Sequence, residues 1–401
     1  MVFMGVLFPW EREDEILRLS NGGLSNAANT FQWNVLEGLK ENLNDGVHVV
    51  NALPVGVWPK QYKQFILKDR SWSYEGKECF EVGAINLPFI KQFSRARRVK
   101  RILRCLIRKG ETEIILYSSY MPFLSAMRRL PKSVKTTVII ADLPGVYANE
   151  EKSPIKRFLQ YAQNRSVYKS LERVDRFVLL TEQMKEPLRV GDRPYTVIEG
   201  ICDRKIGLDE VSDFEQSPEK IILYTGTLHR VFGMGVLLDA FSAISDPTYR
   251  LWICGDGDMK DEIIERSKID ERISYFGYLP QREIQELRRK ATILVNPRQN
   301  VGEYTKYSFP SKTMEYMLSG KPVVMYKLDG IPDEYNDYLF YVSDNTVEAL
   351  KQKIMEICSL SDEDRIKIGE RARSFVIGEK GNIKQVNKIL TMIHSYKMEK
   401  K

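Results

Sequence analysis

The sequence is short of the residues that usually hold metals or staple small folds. Its 401 residues include only 3 histidines and 5 cysteines, Cys79, Cys105, Cys202, Cys254 and Cys358, scattered without metal-ligand spacing. That scatter reads as reduced, structural thiols in a cytoplasmic protein. Neither paired acids nor a His/carboxylate cluster reads as a divalent-metal site. No apolar run approaches the ~20 residues needed to span a bilayer. The opening Met1-Val-Phe-Met-Gly-Val-Leu-Phe8 lacks a basic start and a small-residue cleavage site, so a first strand is expected there. No Gly-x-Gly-x-x-Gly follows that strand, which argues against a dinucleotide oxidoreductase. Internal repeats and low-complexity tracts are also missing.

What is present describes a globular α/β chain. Hydrophobic residues make up 43% and charged residues 29%, a soluble composition. The length favours two domains over one. The net charge of +7 suits an anionic substrate, an anionic membrane face or nucleic acid.

The most informative stretch is Tyr304-Thr-Lys-Tyr-Ser-Phe-Pro-Ser-Lys-Thr-Met-Glu-Tyr-Met-Leu-Ser-Gly-Lys-Pro-Val-Val-Met325. It predicts a polar loop, a short helix and a buried strand. Pro310 fits the first helical turn, Ser308 or Ser311 can cap it, Gly320 can end the helix in a left-handed conformation, and Val323-Val324-Met325 reads as strand. Lys312 lies at the helix start, where the dipole prefers acids. Free N–H groups and a misplaced lysine there predict a site for an anion such as a diphosphate. Glu315, about one turn further on, could accept hydrogen bonds from two adjacent hydroxyls, as a ribose presents them.

This stretch resembles the nucleotide-sugar site of retaining glycosyltransferases of family 4, which have the GT-B fold. Their pattern is Glu, seven residues, Glu, then a small-residue helix and a Gly-x-Pro-Val strand. Glu315 matches the second Glu and Ser319-Gly320-Lys321-Pro322-Val323-Val324 matches the tail, whereas Tyr307 stands where the first Glu would be. Phe309-Pro310-Ser311-Lys312 through Glu315 fits the Phe-Pro-Ser-Lys-x-x-Glu variant of many bacterial members.

Along the chain, Asn21-Gly22-Gly23 after the first strand lets backbone approach a ligand. In the resembling family such a pair faces the donor diphosphate and the acceptor. Val47 to Val50 reads as the second strand. Residues 51–90, rich in Pro, Trp and Tyr, are expected to line an acceptor cleft. Glu113 to Tyr117 and Thr137 to Ile140 suit parallel strands, and Asp142 sits just past the second, where open α/β sheets bind ligands. The family often has an acidic residue near the acceptor here. Arg176 to Leu180 and Tyr195 to Gly200 follow as strands. Residues 204–219 read as a linker.

Ile221 to Leu228 starts a second α/β unit, with Gly226 and Thr227 at its turn. The family usually places Arg directly after this Gly and Lys before the next one. Thr227 and Phe232 occupy those positions here, so Arg230, Arg298 and Lys312 are the candidates for phosphate. Tyr278 and Leu279 fall in the loop that usually lies by the base. The chain from Val347 is helical in pattern. Earlier, Lys91 to Lys109 carries nine basic residues and no acid. Phe93, Val99, Ile102, Leu103, Leu106 and Ile107 can share one face of a helix there. Arg95, Arg97, Arg98, Lys100, Arg101 and Arg104 are then expected to meet an anionic membrane reversibly.

The expected fold class is therefore α/β, with two Rossmann-like domains facing a cleft (GT-B). The acceptor domain would span 1–203, with 385–401 returning to it, and the nucleotide-sugar domain 220–384. The activity that the resemblance implies is retaining, hexosyltransferase-type transfer from a nucleoside diphosphate sugar, with a UDP-linked donor expected, to a glycan or lipid-linked acceptor in cell-surface polysaccharide synthesis. Lys312, Arg230 and Asp142 are the catalytic candidates, no cofactor or metal is implied, and nucleic acid is not the expected partner. The expected location is cytoplasmic, peripheral to the inner face of the plasma membrane. A noncatalytic partner subunit, given Tyr307, and a sugar-nucleotide epimerase of the same fold are the alternatives.

Overall fold

The computed structural model describes residues 1–21, 26–145, 154–203 and 218–398. Two compact units result: Met1–Ile201 with the chain end from Asn382, and Cys202–Gly381.

In the first unit the strands are β1 (Val2–Gly5), β2 (His48–Asn51), β3 (Ile66–Leu67), β4 (Arg70–Tyr74), β5 (Lys77–Glu81), β6 (Ala84–Ile85), β7 (Glu113–Tyr117), β8 (Lys135–Ile140), β9 (Arg176–Leu179) and β10 (Tyr195–Val197). The helices are α1 (Glu13–Leu19), α2 (Asn26–Asn42), α3 (Ile90–Arg108), α4 (Met121–Met127) and α5 (Pro154–Leu171). Among the described residues one sheet runs β10-β9-β8-β7-β1-β2-β5-β4. Its pairs are parallel except β4 with β5. The expected strands at 113–117, 137–140 and 176–180 are all members of it. Strands β1 and β7 are buried at every position, as a sheet covered on both faces requires. The 51–90 stretch, which lacks a clear period, supplies the β4–β5 hairpin at one edge and the small β3–β6 ladder beside it.

The C-terminal helix, Asn382–Met398, returns to this unit, starting three positions before the expected residue 385. It packs on α2 closely enough that a Cβ at Gly38 would lie 2.5 Å from Val386 and from the carbonyl of Asn382. Arg176, fully buried, binds it further along, donating to the carbonyl of Ile393 at 3.2 Å while pairing with Glu113 on β7.

The second unit has β11 (Lys220–Thr225), β12 (Tyr249–Cys254), β13 (Ile273–Tyr275), β14 (Ile293–Asn296), β15 (Val323–Met325) and β16 (Phe340–Tyr341). They alternate with α6 (Met234–Ser242), α7 (Lys260–Ile269), α8 (Gln281–Lys290), α9 (Ser311–Leu318), α10 (Val347–Cys358) and α11 (Asp362–Glu379). The sheet order is β13-β12-β11-β14-β15-β16, parallel throughout. Leu223 of β11 sits between Trp252 and Leu294, in register with both. The core joins Leu223's neighbours Ile222 and Tyr224 to Leu237, Phe241, Ile253 and Leu350. Of the expected linker, 204–217 lies outside the described residues.

Two local expectations at α9 are corrected. Pro310 is the N-cap, extended at φ −66° and ψ 112°, and no side chain caps the helix. The loop before it folds into a short 3-10 turn, Glu303–Tyr307. Gly320 is left-handed at φ +69°, as its position after the helix predicts. Among the described residues no helix is long and apolar enough to cross a membrane.

Candidate functional site

Strand order determines where a ligand fits in the second unit. The chain runs from β11 to β12 and β13 on one side, then returns to β14 on the other. The C-terminal ends of β11 and β14 therefore diverge at a topological switch point, the usual ligand position in an open parallel sheet. Thr225-Gly226 ends β11, Pro297-Arg298 follows β14, and α9 starts beside them. Tyr316 fastens α9 there: its buried hydroxyl accepts from the amide of Thr225 at 2.9 Å and donates to that residue's carbonyl at 3.1 Å.

One turn before Tyr316, Lys312 donates through Nζ to the hydroxyl of Tyr224 at 2.6 Å and lies 4.2 Å from that ring's centroid. Tyr224 in turn donates to the carbonyl of Thr227 at 2.6 Å. Gly226, at φ +133°, makes room, since a Cβ would fall 2.1 Å from Cε and Nζ of Lys312. Lys312 as a residue is partly exposed, yet its ammonium is pulled down to about 7. Desolvation is the largest cause; Glu315 opposes it, and Arg298 and Arg288 add to it. An incoming anion would reverse that balance.

Glu315 presents one carboxylate oxygen to Arg288, Nη2 to Oε2 at 2.7 Å, with the arginine side chain 9% exposed and the glutamate 44%. The second oxygen is left for hydroxyl donors. Arg288 escaped the reading of the sequence because α8 is charged throughout; the run Arg288-Arg289-Lys290 just before β14 is the one signal for it. Arg298 donates to Oγ of Ser308 at 3.1 Å and lies over Phe232 and Tyr304 at 5.3 and 5.0 Å from their centroids. Its Nε is buried and has no protein partner. Lys312, Glu315, Arg288, Arg298, Ser308 and Tyr224 thus share one electrostatic neighbourhood.

Other candidates lie elsewhere or do other work. Arg230 is not drawn into this group. Its side chain is exposed and bound to Glu262, and its amide donates to Asp258 at 3.0 Å. Phe309 is buried against Tyr335, with ring centroids 5.2 Å apart. Ser311 is exposed at the helix start, and Thr227 is exposed beyond β11. Tyr307 donates only weakly to Glu303, at 3.4 Å. Tyr278 projects from the loop after β13, 73% exposed, with Leu279 partly covered behind it. In the first unit Asp142 is exposed past β8. Burial raises the buried Tyr117 hydroxyl at the end of β7, and Asp142 adds to that rise. Gly22 and Gly23 lie outside the described residues.

The basic helix forms as α3, but its faces differ from expectation. Val99, Leu103 and Leu106 are buried and Ile102 and Ile107 partly so, whereas Phe93 is 78% exposed. Arg95 is 1% exposed, inside the unit rather than on a surface, and Arg98 pairs with Asp69 at 2.5 Å. The helix turns through about 100° per residue, so positions 91, 95, 99 and 103 follow the buried stripe. Arg97, Lys100, Arg101 and Arg104 line a shallow open groove of about 670 Å³ together with Arg108 and Lys109.

Among the described residues no group of three or more His, Cys, Asp or Glu is placed to hold a metal. An acidic pair does exist in Asp256-Gly-Asp258. Asp258 is engaged by His229 at 3.1 Å and by the amide of Arg230, and Asp256 lies 3.8 Å from Lys260.

Residues 219–359 match the family model described as Glycosyl transferases group 1. No curated protein matches by sequence. Sucrose-phosphate synthase from Thermosynechococcus elongatus superposes with a TM-score of 0.66 at 14% identity, over 100% of both chains. Anabaena HepE in complex with UDP gives 0.64 at 14%, over 98% of this chain and 100% of that one. WaaG, a glycosyltransferase involved in lipopolysaccharide biosynthesis, gives 0.60 at 11%, over 98% and 99%. Likeness at these identities is likeness of fold. The chain has the GT-B fold of glycosyltransferases, and the stretch that matches the group 1 model contains the Lys312 cluster.

Proposed function

We propose that this chain is a retaining glycosyltransferase of the family-4 type, which transfers a hexosyl group from a UDP-sugar to a glycan or lipid-linked acceptor. The observation that carries the reading is the Lys312–Tyr224 contact at the switch point of the second sheet, with Arg298 and Glu315 beside it. A diphosphate would sit against the N-terminal amides of α9, with Lys312 and Arg298 neutralising it, and Glu315 would take the ribose hydroxyls. Charge developing on the departing diphosphate is then met by groups already in place, which is preorganised electrostatic catalysis. The leaving phosphate takes the acceptor proton, so Asp142 binds the acceptor rather than acting as an obligatory base. The UDP complexes of HepE and of Staphylococcus aureus TarM support a uridine donor, and the stated role of WaaG supports cell-surface glycan synthesis.

The open cations of α3, with exposed Phe89, Ile90 and Phe93 at its start, support peripheral attachment to an anionic membrane on the cytoplasmic side. Calorimetry with a panel of nucleotide-sugars tests the donor: tight, selective binding of one UDP-sugar is expected, followed by transfer that survives EDTA. Donor binding without any turnover across an acceptor panel would favour a noncatalytic subunit. Loss of transfer in EDTA with rescue by magnesium or manganese would refute the metal-independent mechanism.

A further inference from the structure

Arg95, on the inner face of α3, is almost fully buried, and no carboxylate pairs with it among the described residues. Its Nη1 donates to the hydroxyl of Tyr120 at 2.8 Å and approaches the carbonyl of Leu53 at 3.4 Å. Nε and Nη2 are buried with no protein partner. Those two N–H groups form one edge of the guanidinium, the edge that grips an oxyanion with two parallel bonds. One turn earlier Lys91, 8% exposed, gives its ammonium to the carbonyls of Val55 and Gly56. Burial, and after it Arg95, pulls Lys91 down to about 7. Lysine can shed a buried charge in this way; arginine cannot. Buried polar groups rarely lack partners, so the free edge of Arg95 calls for one.

The same side chain lines a cavity of about 300 Å³, at the small end of the range for ligand pockets. Arg12, Arg70, Glu81 and Lys68 contribute polar walls, and Phe65 and Ile66, 43% and 56% exposed, form an apolar one. Glu81 would repel an anion by itself, but it accepts from Arg12 at 2.8 Å and lies 3.9 Å from Arg70. Both of those arginines also face Glu15, at 3.0 and 3.7 Å. The two acids and two arginines balance, which among the described residues leaves Arg95 and Lys68 uncompensated. Two free cations suit a dianion better than a single carboxylate.

We infer that this pocket binds a phosphate ester, its phosphate drawn to the unpaired guanidinium of Arg95 and its organic part against Phe65 and Ile66. Resting on the glycosyltransferase reading, the ester is the acceptor. Either a soluble sugar phosphate or the phosphate of a lipid carrier offers this chemistry.

Calorimetry on the full chain with glucose 6-phosphate, geranyl phosphate, glucuronate and inorganic phosphate tests it, with UDP titrated in parallel. One ester should bind about tenfold or more tighter than inorganic phosphate or glucuronate, and the better one identifies the source. Arg95→Lys keeps the charge and removes the edge, so it should weaken that ester about tenfold. Lys68→Glu lies on the exposed wall, where folding is not at stake, and should weaken it at least several-fold. UDP affinity should be unchanged in both variants. Inorganic phosphate or glucuronate binding as tightly as the esters overturns the inference. So does failure of both esters to bind while UDP binds, or wild-type ester affinity in Lys68→Glu; each leaves the donor reading standing. Normal ester binding with no UDP binding keeps the pocket and removes the donor reading.

Discussion

Lys312 donates to Tyr224, 88 residues earlier in the chain, at 2.6 Å across the gap where Gly226 has no side chain. Gly226→Ala puts a methyl where Cε and Nζ of Lys312 now lie, at a left-handed φ that costs an L residue about 1–3 kcal/mol. The displaced atoms are the flexible end of a side chain, so the fold should survive with a lower Tm. Transfer should fall about ten- to a hundredfold, as for loss of a hydrogen bond to a charged group, and Lys312→Ala should fall by a similar factor. Steady-state kinetics check this; wild-type kcat in folded Lys312→Ala would remove the lysine from the mechanism.

Glu315 and Arg288 should behave as a coupled pair. Glu315→Ala removes the acceptor proposed for ribose hydroxyls and should weaken UDP binding about tenfold, with Arg288→Ala somewhat less harmful. Because the two side chains touch at 2.7 Å, their effects should not add. A double-mutant cycle by calorimetry measures this, and strictly additive losses would show that Arg288 does not orient Glu315.

Lys312 also predicts a pH signature. With a pKa of about 7 in the folded protein against 10.5 ordinarily, its charge costs stability below pH 7, and the cost fades as pH rises towards 10.5. A bound diphosphate favours the ammonium and raises its pKa. UDP binding at pH 8 should therefore take up a proton, and affinity should decline from pH 7 to 9, the dependence on this group levelling off about one unit below pH 7. Calorimetry in buffers of different ionisation enthalpy reads the proton count, and Lys312→Met should abolish it.

Vesicle binding should separate the open cations of α3 from the buried one. Each basic residue near an anionic surface is worth about 1 kcal/mol. Replacing Arg97, Lys100, Arg101 and Arg104 by Gln should therefore release the protein from phosphatidylserine vesicles at low salt, with its circular dichroism spectrum unchanged. Equal sedimentation of wild type and variant would refute the membrane role of this helix.

Local pattern in the sequence determined most of the secondary structure. Ile221 to Thr225, Ile293 to Val295 and Val323 to Met325 are apolar runs between turn residues, and the left-handed Gly320 follows from its place after a helix. Lys312 and Glu315 were legible because they sit three residues apart on one helix beginning. Their partners were not. Tyr224 reaches Lys312, and Arg288 reaches Glu315, only because parallel pairing brings β11 beside β14 and sets α8 and α9 near their ends. Charge on a helix also carries no label for its face. Arg95 and Arg97 look alike in the chain, but the packing of Val99 and Leu103 turns Arg95 inward and leaves Arg97 in solvent. Short-range spacing decides which element forms, whereas the direction in which each side chain points follows from long-range burial, and that only the tertiary structure decided.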